Sequence, residues 1–75
     1  MTPEQLVGRV FDLPATLVSD NTSNATLAEW DSLGHMTLIV ELEATYGITV
    51  SAEDALGLTS VEAIKRLLTA RGVRW

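Results

Sequence analysis

The stretch WDSLGHMTLIVELEATYGI, residues 30–48, decides the fold. Asp31 and Ser32 are both favoured helix N-caps and Gly47 is a favoured stop, so the spacing predicts a helix from about Ser32 to Tyr46. Leu38, Ile39, Leu42 and Tyr46 fall at i, i+1, i+4 and i+8, a stripe that belongs in a core. Leu33, Met36 and Val40 repeat at i, i+3 and i+7 on a different side, which an ordinary surface helix keeps polar. Either a long loop covers this second stripe, or it stays exposed as a partner surface where the adaptable Met36 is useful. Glu41 and Glu43 would add charge around such a patch.

Outward from this helix the punctuation is clear. Upstream, TPEQ offers Thr2 as N-cap, Pro3 at the first helical position and Gln5 to close a capping box. Leu6, Val7, Val10 and Phe11 then make one apolar stripe, predicting a helix over Pro3 to Asp12. Gly8 interrupts it at a cost of up to about 1 kcal/mol relative to alanine. From Leu13 to Trp30 the chain is a long connection, rich in cap and turn formers in SDNTSNAT (residues 19–26), with Leu13, Leu17, Val18 and Leu27 expected to tack it to the core. Downstream, GITV (residues 47–50) is an extended connector, and Ser51 with Asp54 begins a brief third helix. Thr59 and Glu62 in TSVE form a further capping box. The fourth helix carries Val61, Ile64, Leu67 and Leu68 on one stripe, with Arg66 and Arg71 toward its C-terminus and Gly72 as the stop. The expected fold is therefore all-α: a small four-helix bundle of three main helices plus a short third one, with a long loop between the first two. One domain spans residues 1–75, the bundle taking about 1–70 and a loose tail 71–75.

Composition bounds the chemistry. Of 75 residues, 47% are apolar, enough for a packed core. There is no cysteine and one histidine, so the chain supplies neither a thiol nor a multi-histidine metal site. No basic region followed by an apolar run opens the sequence, and no apolar stretch approaches membrane-spanning length, so the expected location is the cytoplasm. The net charge is −5, and nine acids lie between Arg9 and Lys65 with no lysine or arginine among them. That field argues against nucleic acid and suits basic protein partners.

Ser32 is the chemically interesting residue. Its plainest role is as a helix cap, a contribution of about 1 kcal/mol shared as a possibility with Asp31. A phosphate esterified there would also be well placed, because a helix N-terminus offers free N–H groups and the positive end of the dipole. A nucleophilic role needs a base and an orienting group. Asp31 and His35 lie within a turn of Ser32, but a 75-residue bundle has little room for a substrate pocket and no oxyanion hole is signalled. Catalytic residues are therefore not assigned. Trp30 either packs under the loop or touches whatever the site binds.

At these residues the sequence resembles the acyl carrier proteins. WDSLGHMTLIVELEATYGI, with DSL opening the second helix, is similar to their modification region, and LTSV before the last helix matches their pattern. The likeness runs from about Leu6 to Leu68. The resemblance implies a carrier, not an enzyme, with 4′-phosphopantetheine from coenzyme A esterified to Ser32 by a phosphopantetheinyl transferase, and with Asp31 and Leu33 flanking the attachment. The arm's thiol would carry acyl groups as thioesters, which suits a chain without cysteine. It also implies that Leu33, Met36 and Val40, with Asp31, Glu41 and Glu43, face basic patches on partners such as an acyltransferase or ligase and a ketosynthase. The chain is expected to be a monomer, with no metal. Glu29-Trp30 before the motif, Gly34-His35 after it and a less acidic second helix depart from the commonest fatty-acid pattern. They point to a free-standing carrier of polyketide, hybrid or similar specialised biosynthesis. An aminoacyl or peptidyl carrier is the alternative, and an unmodified helical interaction module a more distant one.

Overall fold

In the computed structural model, which describes residues 1–75, helix α1 (Pro3–Phe11) starts on the box read from TPEQ. The Gln5 N–H donates to Thr2 Oγ1 at 3.1 Å, and the Thr2 N–H donates to Gln5 Oε1 at 2.9 Å. The helix ends at Asp12, whose left-handed backbone (φ 58°) reverses the chain. Gly8 makes that reversal possible: the Leu13 N–H donates to the Gly8 carbonyl at 2.7 Å, and a Cβ on Gly8 would lie 2.5 Å from the Leu13 carbonyl oxygen. The glycine that weakens α1 by propensity is thus required by the close return of the loop.

Between Asp12 and Asp31 the chain holds only a 3₁₀ turn, Ala15–Leu17. Val18 is buried, and Leu13 and Leu27 pack half-buried against the core. Leu17 is 70% exposed, contrary to its expected anchoring role, because the 3₁₀ turn brings Val18 inward in its place. The polar part of the loop is not loose. It pairs with the chain entering the last helix: Val61 N–H to Thr22 O, Asn24 N–H to Thr59 O, and Glu62 N–H to Asp20 O, all within 3.0–3.2 Å. The Val61 and Glu62 bonds satisfy amides that a helix start leaves free.

Helix α2 spans Ser32–Tyr46 and stops at Gly47 (φ 64°), and α3 is Ala52–Gly57, capped by Ser51, which accepts from the Asp54 N–H at 3.0 Å. Helix α4 is Val61–Ala70, and its cap is Ser60, not the expected Thr59. Ser60 has the extended backbone of a cap and accepts from the Ala63 N–H at 3.1 Å, while Glu62 pairs with Arg66 and does not close a box. The cap lies one residue downstream of the expected Thr59, since Thr59 and Ser60 are both cap formers and only Ser60 reaches the Ala63 N–H. The end of α4 is a Schellman motif: Val73 N–H reaches Leu68 O and Gly72 N–H reaches Thr69 O. Val73 consequently packs on the core, so the tail is tied down at that point, while Arg74 and Trp75 stay exposed. Arg71 does more than face a dipole. It donates to the Thr49 carbonyl and to Asp54, pinning the connector and α3 to α4.

Leu6, Val7 and Phe11 of α1, Leu38 and Leu42 of α2, and Val61, Ile64 and Leu68 of α4 form the core, closed by Val18, Trp30 and Leu58 from the connections. Ile39 and Tyr46 flank it, half-buried. The architecture is the expected all-α bundle, and no helix is long and apolar enough to cross a membrane.

Candidate functional site at the start of the second helix

Asp31 and Ser32, equivalent as caps by residue type, are separated by the structure. Asp31 is the N-cap: its Oδ1 accepts the Gly34 N–H at 2.9 Å, and its carbonyl accepts the His35 N–H at 2.8 Å. Ser32 is the first helical residue. It is exposed, and its hydroxyl makes no hydrogen bond within the protein. The Ser32 and Leu33 amides have no partner in the chain, so two N–H groups and the positive helix end lie beside a free hydroxyl. That combination fits a phosphate ester on the Ser32 oxygen.

Gly34 permits the tight approach of the loop. A Cβ there would collide with the Glu29 carbonyl oxygen and lie 2.8 Å from the Phe11 ring. Trp30 is buried and stacks on Phe11, ring centroids 5.3 Å apart. Its indole N–H donates to His35 Nδ1 at 3.0 Å, and His35 Nε2 lies 2.7 Å from the Ala55 carbonyl of α3. Because Nδ1 accepts, Nε2 carries the proton and donates to Ala55. Both imidazole nitrogens are thereby engaged, and neither is available to Ser32 as a base. The Ser-His-Asp arrangement conceivable from sequence is absent for that reason. No group of histidine, aspartate or glutamate side chains is arranged to hold a metal ion.

The second stripe of α2 is open to solvent: Leu33, Met36 and Val40 are 75%, 67% and 62% exposed. The covering-loop alternative fails, since the loop folds instead along the entry to α4. Leu56 of α3, 81% exposed, lines a surface cleft together with Ser32. Sequence reasoning missed it, because a six-residue helix is too short to display a period. The expected charges are differently deployed. Glu41 is held by Arg9 at 2.7 Å, and Glu43 accepts the Val50 N–H at 2.9 Å, bracing the connector. Of the expected charges Asp31 lies beside Leu33, joined there by Asp12 from the end of α1 and Glu29 from the loop, and none of the three is in an ion pair. Asp12 and Glu29 are far apart in sequence, so nothing local signals that they meet.

Comparison with known proteins bears on this geometry. The family model described as "Phosphopantetheine attachment site" matches residues 4–68. No curated protein matches the chain. Among solved structures, that of the holo acyl carrier protein of Geobacter metallireducens is similar, with a TM-score of 0.78 and 31% identity, covering 89% of this chain and 77% of that one. The chain belongs to the acyl carrier protein family: it is a carrier and not a catalyst, and its cofactor is a covalently attached 4′-phosphopantetheine.

Proposed function

We propose that Ser32 bears the phosphopantetheine and that the chain carries acyl intermediates as thioesters in polyketide, hybrid or fatty-acid-like biosynthesis. The observation that carries this reading is the division of labour at the helix start, where Asp31 caps α2 and leaves the Ser32 hydroxyl exposed and unbonded. In the transfer, a bond forms from Ser32 Oγ to the phosphorus of coenzyme A nearest the pantetheine. The pyrophosphate bond breaks, adenosine 3′,5′-bisphosphate leaves, and the hydroxyl proton passes to the transferase. The chain's own part is to present the oxygen, and to steady the phosphate with the Ser32 and Leu33 amides. The arm's thiol supplies the thioester chemistry.

Partners with basic docking patches would meet Leu33, Met36, Val40 and Leu56, with Asp12, Glu29 and Asp31 as the nearby charges. These partners are the transferase, an acyltransferase or ligase, and a ketosynthase. Glu41 and Glu43, paired within the chain with Arg9 and the Val50 N–H, contribute less. Intact mass after incubation with coenzyme A and a broad-specificity transferase tests the attachment. One phosphopantetheine-sized gain is expected on the wild type and none on a folded Ser32→Ala; no gain on either would return Ser32 to an unmodified surface residue. Loading of the product by malonyl or other acyl groups, and not by adenylate-activated amino acids, separates the acyl from the aminoacyl carrier.

A further inference from the structure

Two directions matter for an arm rooted on Ser32, inward to the core and outward along the surface. One leads inward, between α2 and α3, toward Leu38, Leu42 and Ile64. His35 and Leu38 are three residues apart and share a face of α2, so the imidazole stands over the core at the end nearest Ser32. There the Trp30 indole N–H, His35 and the Ala55 carbonyl form a continuous chain of hydrogen bonds from the loop, across α2, to α3. Trp30 is itself buried and stacked on Phe11, which anchors the bolt from behind. An alkyl chain entering here would strand the indole N–H and the Ala55 carbonyl in an apolar setting, with nothing to replace either bond. None of the principal surface clefts reaches Leu38, Leu42 or Ile64.

The other direction leads outward. Beside Ser32 lies an open cleft of about 390 Å³, with Trp30 and His35 on its inner side and Asn24, Leu56 and Thr59 around it. Its size falls in the range of small-molecule sites, about 300–1,000 Å³. The Asn24 amide and the Thr59 hydroxyl make no hydrogen bond within the protein, and the backbone bond from Asn24 N–H to Thr59 O (3.0 Å) holds the two together. Free amide and hydroxyl groups beside one exposed leucine suit the pantetheine arm, which has two amides, a hydroxyl and a dimethyl group. They offer little to a long hydrocarbon.

We propose that the Trp30–His35–Ala55 bolt bars the arm and its cargo from the core, that the arm lies in the cleft against Asn24, Leu56 and Thr59, and that the cargo is a short or polar acyl group. A long apolar chain would remain in water, where the hydrophobic effect opposes it. The inference rests on attachment at Ser32, and the experiment checks that first by intact mass, so absence of the mass gain sinks the attachment and is told apart from any later result. With the gain established, the protein is loaded with acetyl- or octanoyl-phosphopantetheine from the corresponding coenzyme A thioesters. Thermal unfolding and amide NMR shifts are then compared. The two loaded forms are expected to melt within about 1 °C of each other. Shifts relative to the unmodified protein should concentrate at Asn24, Leu56 and Thr59. A rise of several degrees for the octanoyl form, with shifts spreading to Leu38, Leu42 and Ile64, would overturn the proposal. Two variants address the bolt itself: Trp30→Phe keeps a ring on Phe11 but loses the N–H, and His35→Ala removes the middle link. Either one, if folded, should acquire the octanoyl-dependent rise that the wild type lacks. If the folded variants behave like the wild type, the bolt is not what excludes the chain.

Discussion

Replacing Asp31 by alanine removes the acceptor of the Gly34 N–H and should cost about 1 kcal/mol in denaturant unfolding. Replacing Ser32 by alanine removes an exposed hydroxyl that makes no hydrogen bond within the protein, and should change stability by less than about 0.5 kcal/mol. The pair of measurements distinguishes a capping serine from a presented one, independently of any modification. Gly34→Ala is the third change in the same turn. It drives a methyl into the Glu29 carbonyl and the Phe11 ring, and should destabilise by about 1–3 kcal/mol. A variant as stable as wild type would mean that the loop does not close on α2 as described. His35 shows how far a residue's role depends on what lies across from it. By sequence the imidazole is either a base for Ser32 or a strut, and its two hydrogen bonds make it a strut.

Among the elements, α4 carries the clearest test of the register. Ser60→Ala should lose the bond to the Ala63 N–H and about 1 kcal/mol, whereas Thr59→Ala, whose side chain caps nothing, should be nearly neutral; urea midpoints decide it. The reverse outcome would restore the cap one residue upstream. Helix α2 is unusual in having two apolar sides, and the tertiary contacts assign one to the core and the other to solvent. An exposed stripe of Leu33, Met36 and Val40 costs solubility unless something uses it. The loop takes no part in covering it because its polar groups are committed to the Thr59–Glu62 segment.

Across the whole molecule, the net charge hides a set of long-range ties. Lys65 donates to Asp20 at 2.6 Å and to Glu4 at 2.7 Å, joining α4 to the loop and to α1. These bonds, Asp20 first and then Glu4, raise the Lys65 pKa above its ordinary value. Partial burial, and then the Glu4 charge, raise that of Tyr46, whose hydroxyl donates to the Met1 carbonyl at 2.8 Å. Both groups hold their protons more tightly when folded. Their contribution is therefore complete below the unfolded values, near pH 10, and is lost as the pH climbs through the higher folded ones. Thermal melts should be level up to about pH 9 and fall above about pH 10. Tyr46→Phe combined with Lys65→Gln should flatten that alkaline fall; an equally steep fall in the double variant would assign it elsewhere.

The sequence by itself determined what depends on neighbours along the chain. Thr2, Ser51 and Gly47 bound their helices as local chemistry requires, and the 3.6-residue period named Leu38 and Leu42 as core. Caps, turns and stripes are short-range, so they are legible one residue after another. Even there, adjacent cap formers left Asp31 against Ser32 undecided and Thr59 against Ser60 misassigned. Only the tertiary structure decided that Leu17 points outward, that Val73 packs home, that Glu41 and Glu43 are engaged internally, and that Asp12, Glu29 and Asp31 gather beside Leu33. It alone joined Trp30, His35 and Ala55. These outcomes depend on pairs separated by many residues or on which of two equal candidates a distant segment contacts, and no local pattern encodes that choice.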